Sequence, residues 1–257
     1  MDMINVFKNG LPIFGLFNEF DEDTTISEID LTFGHDDLNL ELLDFLQSEV
    51  LPDYVRNMDK AHSVEHIIDV VKNSLSLADK LKCDKDIALT AAIYHDIGRC
   101  YSMEFNKNYI LALNSIVNDS DLLYDYGLVE DDILTVCDAV VDLSPSSKKT
   151  TIYSKILSDA DKISEVMDID YLIKRYCDYV VAHYTYESLD KMIDRIYFII
   201  HSRYKDKKSI GNIYYTDIAK NMHEENINNV IKISNNKKAF LYRLAELVEE
   251  ENNNKKG

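Results

Sequence analysis

Positive charge is scarce in this chain. Its 257 residues include 28 Lys and Arg against 46 Asp and Glu, which gives a formal net charge of −18. Proteins that bind nucleic acid need a basic surface that neutralises phosphates, and anionic membranes attract the same kind of surface. The sequence therefore argues against a nucleic-acid or membrane partner. A small anionic ligand is still compatible, because a metal ion and a few local cations can dominate the field of a pocket.

Closely spaced cysteines and long apolar runs are also lacking. No apolar run approaches the roughly 18 residues that cross a bilayer, and no charged-then-apolar leader stands at the start. We therefore expect a cytoplasmic protein. The cysteines lack the close spacing of zinc sites and redox motifs, so we predict reduced thiols at all four positions. These are Cys83, Cys100, Cys137 and Cys177.

Strand patterns are missing after residue 36, where apolar residues recur at helical spacing. A first helix, capped by Asp36 or Asp37, is predicted to bury one apolar face and to end near Pro52. A second is predicted from about His62 to Leu81, and a third from Asp84 or Asp86 to Gly98. The same periodicity predicts helices at residues 109–117, 130–141, 153–167, 169–184, 189–204 and, with breaks, 215–250. We predict an all-α helical bundle.

The first 36 residues differ from the rest of the chain in their pattern of apolar and polar residues. Residues 11–17 are apolar with turn formers, and residues 26–33 alternate partly between apolar and polar, as a half-buried strand does. A short hairpin and an irregular arm both fit this pattern. We therefore divide the chain into an N-terminal extension at residues 1–36, a helical domain at 37–210, and C-terminal helices with a frayed tail at 211–257.

His95 and Asp96 stand side by side near the end of the third predicted helix. Imidazole and carboxylate are suitable nitrogen and oxygen ligands for a divalent transition metal. Two more stretches can complete a site: residues 62–66 place two histidines four apart on one helix face, and residues 158–162 place two aspartates around an alanine. Histidines at this spacing also occur in packing or at surfaces. Instead of binding the metal, Asp159 could cap a helix or accept a hydrogen bond beside the site.

At these residues the sequence resembles the HD superfamily of metal-dependent phosphohydrolases, and is closest to its small bacterial stand-alone members. The family is named for adjacent His and Asp ligands, with an earlier His and a later Asp. The resemblance extends over about residues 58–184. The four ligand positions are occupied in order by His66, His95, Asp96 and Asp161.

The resemblance implies an HD-domain bundle at 37–210 and a hydrolytic chemistry. It implies one divalent transition metal, Mn, Fe, Ni, Co or Zn, which would lower the pKa of water and polarise phosphorus. By the same resemblance, His62 is the candidate general acid, and Asp96 could orient the water or act as base. The expected substrate is a nucleotide or a similar small compound with a phosphate ester or anhydride bond.

The remaining phosphoryl charge calls for cations, and the nearest candidates are Arg99, Lys162, Lys148 and Lys149. A solvated surface role is the alternative for each. Relatives carry histidines where this chain has Asn106 and Lys107, and again at Leu143. Their absence favours a single metal. It also leaves open a degenerate protein that binds nucleotide or metal without turnover, or a helical interaction protein in which these residues are structural.

Overall fold

The computed structural model describes residues 7, 10–14, 26, 29–55, 64–102, 104–144, 147–166, 168–206 and 214–254. Every regular element within these ranges is a helix, which confirms the predicted all-α fold. None of the helices described is long and apolar enough to cross a membrane. The four cysteines are not joined in disulfides, in agreement with the predicted reduced thiols.

The chain forms two compact units. The larger unit comprises Glu19–Glu165 and Tyr214–Asn221, and the smaller unit comprises Met1–Asn18, Val166–Ile213 and Met222–Gly257. Each unit has its own cluster of buried apolar side chains. The division of the chain at residues 36 and 210, which is based on the residue pattern, stays a prediction.

The larger unit begins with short helices. Helix α1, Leu40–Phe45, continues through a π-helical turn, Leu46–Val50, into α2, Pro52–Val55. The predicted cap at Asp36 or Asp37 is wrong, because the side chain of Asn39 accepts the first free amides of α1. Asp37 instead binds Lys85 at 2.8 Å. The predicted apolar face is confirmed as buried, at Leu38, Leu42, Phe45, Leu46 and Val50.

Two long helices form the centre of the larger unit. Helix α3, Val64–Leu81, packs against α4, Lys85–Tyr94, and both pack against α8, Ile152–Glu165. Helix α4 starts at Asp84, whose carboxylate accepts the amides of Asp86 and Ile87, so this predicted start is confirmed. Every residue of α4 from 87 to 94 is buried. A helix that is apolar all round is expected in such a central place.

The predicted end of α4 at Gly98 is wrong. The helix ends at Tyr94, and Gly98 lies in a following 3₁₀ turn, Ile97–Cys100. A Cβ at Gly98 would lie 2.1 Å from the backbone oxygen of Asn108. Asn108 belongs to α5, Phe105–Asn118. Glycine is therefore required here by the close approach of α5, and not by helix termination.

The remaining helices follow the predicted pattern within a few residues, apart from one short helix that the periodicity missed, α6, Ser120–Asp125. In the smaller unit, α9, Ile169–His183, packs against α10, Leu189–Tyr204, and against α12, Lys237–Asn254. The possible N-terminal hairpin falls largely outside the described residues, and residues 31–34 form a turn. The other helices are α7, Glu130–Asp142, and α11, Asp217–Ser234.

Candidate metal centre

Three of the four predicted ligands form a buried cluster in the larger unit. His66 lies on the first turns of α3, and His95 and Asp96 follow the end of α4. One ligand atom from each of these residues lies within 4.8 Å of the other two. The exposed fractions are 7% for His66, 1% for His95 and 5% for Asp96. Such a concentration of polar groups in a core calls for a compensating partner.

The backbone at the end of α4 brings the two adjacent side chains to one point. Consecutive residues of a continuing α-helix would point about 100° apart. His95 still has helical angles, but Asp96 leaves the helix with φ −117° and ψ 9°. As a result, Oδ2 of Asp96 lies 3.5 Å from Nε2 of His95 and 4.0 Å from Nε2 of His66.

The ring of His95 is held in the form that a metal requires. Its Nδ1 lies 2.7 Å from the carbonyl oxygen of Ala92, which can only accept, so this nitrogen carries the proton. In the neutral ring, this arrangement leaves the lone pair on the other nitrogen, Nε2. It is buried and has no hydrogen-bond partner among the described residues. A buried imidazole nitrogen of this kind is the arrangement that a metal ion satisfies.

His66 is positioned from α8. Its Nδ1 lies 3.1 Å from Oγ of Ser164, and its Nε2 lies 3.4 Å from Oδ1 of Asp161. Burial lowers the pKa of His66 below its ordinary value, although the nearby carboxylate of Asp161 acts in the opposite sense. The imidazole is thus favoured in the neutral form, which is the form that binds metals.

The carboxylate of Asp96 uses its two oxygens differently. Oδ1 accepts hydrogen bonds from Nδ2 of Asn108 at 2.7 Å and from Nε of Arg99 at 3.0 Å. Oδ2 faces the two imidazoles. This division fixes the rotamer of Asp96 and leaves one defined oxygen for a metal. The general-base role of Asp96 stays a prediction.

The two aspartates of α8 point to different places. Asp159 is fully buried and accepts the amides of Tyr215 and Thr216 at 2.7 and 2.9 Å, and the hydroxyl of Thr216 at 2.7 Å. It therefore secures the residues that lead into α11, which agrees with the capping role considered for it. Asp161 instead faces His66. Burial opposes ionisation of Asp161, but the adjacent imidazole of His66 acts in the opposite sense, and the pKa of Asp161 is lowered below the ordinary range.

The candidate phosphate-binding cations have different surroundings. Nε of Arg99 contacts Asp96, and Lys162 forms an ion pair with Glu165. Lys148 is exposed. The ammonium of Lys149 contacts the backbone carbonyls of Asp142 and Ser144 at the end of α7, and burial lowers its pKa. Their assignment to phosphate stays a prediction.

Other residues considered in the sequence analysis are not part of the buried cluster that the structure describes. His62, the candidate general acid, lies outside the described residues. Lys107, one of the positions where relatives carry histidine, is exposed and forms an ion pair with Glu104 at 2.6 Å. Asp142 has a structural role, because its Oδ2 accepts hydrogen bonds from Thr150 and Ser154, at the start of α8.

Sequence reasoning missed three polar residues beside the cluster. Asn108 lies in an otherwise apolar stripe with Ala112 and Ile116, and a lone buried amide in such a stripe was the available signal. Ser164 lies three residues after Asp161, on the same face of α8. Tyr109 is half-buried near the charges of Asp96 and Asp161, and burial with those charges raises its pKa to about 12. No spacing rule pointed to it.

The donor set fits a divalent transition metal. Two imidazoles and one or two carboxylates converge, and nitrogen with oxygen ligands suits most first-row ions. The second nitrogen of each ring is held by a carbonyl or hydroxyl oxygen, as is usual for metal-binding histidines. The buried Nε2 of His95 is the clearest sign of fit.

Comparison with known proteins agrees with this geometry. Residues 63–165 match the family described as HD domain, a range that lies within the larger unit and contains all four predicted ligands. This part of the chain is therefore similar to an HD domain. The predicted resemblance to the HD superfamily of metal-dependent phosphohydrolases is confirmed.

One relative is a protein of Clostridium beijerinckii (strain ATCC 51743 / NCIMB 8052) that is named only as an uncharacterized protein. It is 26% identical over 107 residues, which cover 41% of this chain. The chain matches 66% of the length of that relative, just under two thirds. No solved structure matches the chain.

Proposed function

We propose that this protein is a metal-dependent phosphohydrolase that cleaves a phosphate ester or anhydride bond of a nucleotide or similar small phosphorylated compound. The observation that carries the proposal is the buried convergence of His66, His95 and Asp96 within 4.8 Å. Asp161 lies beside them, 3.4 Å from His66. The HD-domain match over the same residues supports the proposal.

The four side chains would hold one divalent ion, Mn, Fe, Ni, Co or Zn. When bound, such an ion supplies Lewis acidity, which lowers the pKa of water and polarises the phosphorus–oxygen bond. The protein's own contribution is orientation. Ala92 fixes the tautomer of His95, Ser164 holds the ring of His66, and Asn108 holds one oxygen of Asp96.

Proton transfer and charge stabilisation are assigned to other side chains. His62 is proposed to protonate the leaving oxygen, a task that suits a group titrating near neutral pH. Asp96 is proposed to orient the water. Arg99, Lys162 and Lys148 are proposed to balance phosphoryl charge. Arg99 fits this role best, because a guanidinium carries five donors and its Nε already positions it beside Asp96.

The test combines metal content with turnover. Elemental analysis of the purified protein should show about one transition-metal ion per chain, and His66→Ala and Asp96→Ala should lose it. Phosphate release from nucleotide mono-, di- and triphosphates with added manganese should disappear in both variants. His183→Ala is the matched control, because His183 is an exposed histidine of α9 in the smaller unit. Lack of metal in the parent protein after reconstitution would contradict the proposal.

A degenerate protein that binds metal or nucleotide without turnover is the second candidate. It is favoured by the surroundings of the cations, because Lys162 is paired with Glu165 and Lys149 contacts backbone carbonyls. The same experiment separates the two functions. A filled metal site with no phosphate release across monoesters, anhydrides and cyclic nucleotides would favour the second candidate.

A further inference from the structure

A concave site in the larger unit is lined by residues other than the candidate metal ligands. This pocket has a volume of about 460 Å³ and is lined by residues of α1, its π-helical turn, α2, the end of α4, the 3₁₀ turn, α5 and α6. Its lining includes Tyr94 and Ile97, which flank His95 and Asp96 in sequence, but none of the four candidate ligands. The volume is typical of pockets that bind small molecules.

The lining combines aromatic rings with carboxylates. The aromatic lining residues are Phe45, Tyr94, Tyr101 and Tyr126, and Phe45 stacks on Tyr126 with centroids 5.1 Å apart. Tyr94 and Phe45 are buried, so the rings with exposed surface are those of Tyr101 and Tyr126. No Lys, Arg or His lines the pocket in the part of the chain that the structure describes. The acidic lining residues are Glu49, Asp53 and Asp119.

Tyrosine hydroxyls fix the positions of two of these carboxylates. Oη of Tyr94 donates to Oδ2 of Asp119 at 2.7 Å, and Oη of Tyr101 donates to Oδ2 of Asp53 at 2.6 Å. Tyr94 is fully buried, so the direction of its hydroxyl is set by the core. The hydrogen bond to Asp53, with burial, raises the pKa of Tyr101 to about 12, so its hydroxyl stays protonated at neutral pH. The pocket thus presents oriented carboxylates beside the accessible aromatic side chains of Tyr101 and Tyr126.

We propose that this pocket binds an organic ammonium cation. Carboxylates attract such a cation by charge, and aromatic ring faces attract it through their quadrupoles. An anionic phosphorylated compound would be repelled by the same carboxylates, so the occupant differs from the substrate proposed for the metal centre. The inference does not depend on the proposed hydrolysis.

The test measures binding of choline by calorimetry at 0.15 M NaCl. Its uncharged isostere, 3,3-dimethyl-1-butanol, reports the part of the affinity that is due to shape alone. Saturable binding of choline is expected, with at least about tenfold weaker binding of the alcohol. Asp53→Asn and Asp119→Asn should each weaken choline binding by about tenfold, because each removes a carboxylate charge but keeps an acceptor for the tyrosine hydroxyl.

Asp121→Asn is the matched control for charge. Asp121 is an exposed residue of α6, two positions after Asp119, and does not line the pocket. Its replacement changes the net charge equally but should leave choline binding unchanged. Absence of saturable choline binding, equal binding of the alcohol, or an equal loss in Asp121→Asn would each overturn the proposal, the last by showing diffuse attraction to an acidic protein.

Discussion

Asp96 has the most constrained side chain of the candidate metal centre. One of its oxygens accepts hydrogen bonds from Asn108 and Arg99, and the other faces the imidazoles of His66 and His95. A carboxylate that is held at one oxygen keeps the other in place for a metal without further loss of conformational freedom. Residues that orient a ligand in this way are expected to affect metal affinity almost as clearly as the ligands do.

Asn108→Ala is therefore predicted to weaken metal binding by roughly 10- to 100-fold, because Oδ1 of Asp96 loses its shorter hydrogen bond. Titration of the metal-free protein with Mn²⁺ or Zn²⁺ measures the change. Asn114→Ala is a suitable control, since Asn114 is an exposed asparagine of the same helix. Equal affinities in the two variants would show that Asn108 does not position Asp96.

Asp159 and Asp161 allow a paired prediction. Asp159→Ala should lower the free energy of unfolding by about 1 to 3 kcal/mol, because the buried amide of Thr216 and the partly buried amide of Tyr215 lose their acceptor. Asp161→Ala should instead weaken metal binding and leave the folded structure intact. Thermal unfolding of the metal-free proteins and metal titration separate the two effects. The reverse result would exchange the assigned roles.

At the scale of the elements, the contact between the 3₁₀ turn and α5 determines the geometry of the centre. Gly98→Ala is predicted to destabilise the protein by about 1 to 3 kcal/mol, because the added Cβ would lie 2.1 Å from the backbone oxygen of Asn108. The shift of α5 should also weaken metal binding, since Asn108 would move away from Asp96. Chemical denaturation and metal titration measure both effects. A stable variant with unchanged affinity would show that α5 adjusts without moving Asn108.

The helices were predictable from the sequence because their apolar residues recur with a clear period. This holds for α3, in which Ile67, Val70, Val71, Ser74, Leu75 and Ala78 recur at helical spacing and are all buried. The ends were less predictable, because they depend on contacts distant in sequence. The cap of α1 is set partly by a hydrogen bond from Asn39 to the carbonyl of Tyr126, 87 residues away.

Prediction of the candidate site from the sequence was limited in the same way. The resemblance to the HD superfamily identified His66, His95, Asp96 and Asp161, and three of these converge in the core while the fourth lies beside them. The supporting residues were not predicted. Asn108 reaches Asp96 only because Gly98 allows α5 to approach, and this approach is a tertiary feature that no local pattern encodes.

At the scale of the whole molecule, the metal centre lies in the unit whose core includes α3, α4 and α8. Buried polar groups are costly when they lack a partner. The larger unit should therefore be measurably more stable when an ion occupies the cluster. Metal-linked stability reports on the cluster independently of any substrate.

Added Mn²⁺ is predicted to raise the free energy of unfolding of the larger unit by about 2.7 kcal/mol when the ion is present at 100 times its dissociation constant. Differential scanning calorimetry with and without the ion measures the rise. His66→Ala should lose it, because the cluster loses an imidazole, and His183→Ala should retain it.

The smaller unit supplies an internal reference. Leu244→Ala, in the core of that unit, should lower the free energy of unfolding by about 2 to 5 kcal/mol without changing the Mn²⁺ effect. An equal Mn²⁺ effect in His66→Ala would indicate binding elsewhere on this acidic chain and would contradict the assignment of the centre.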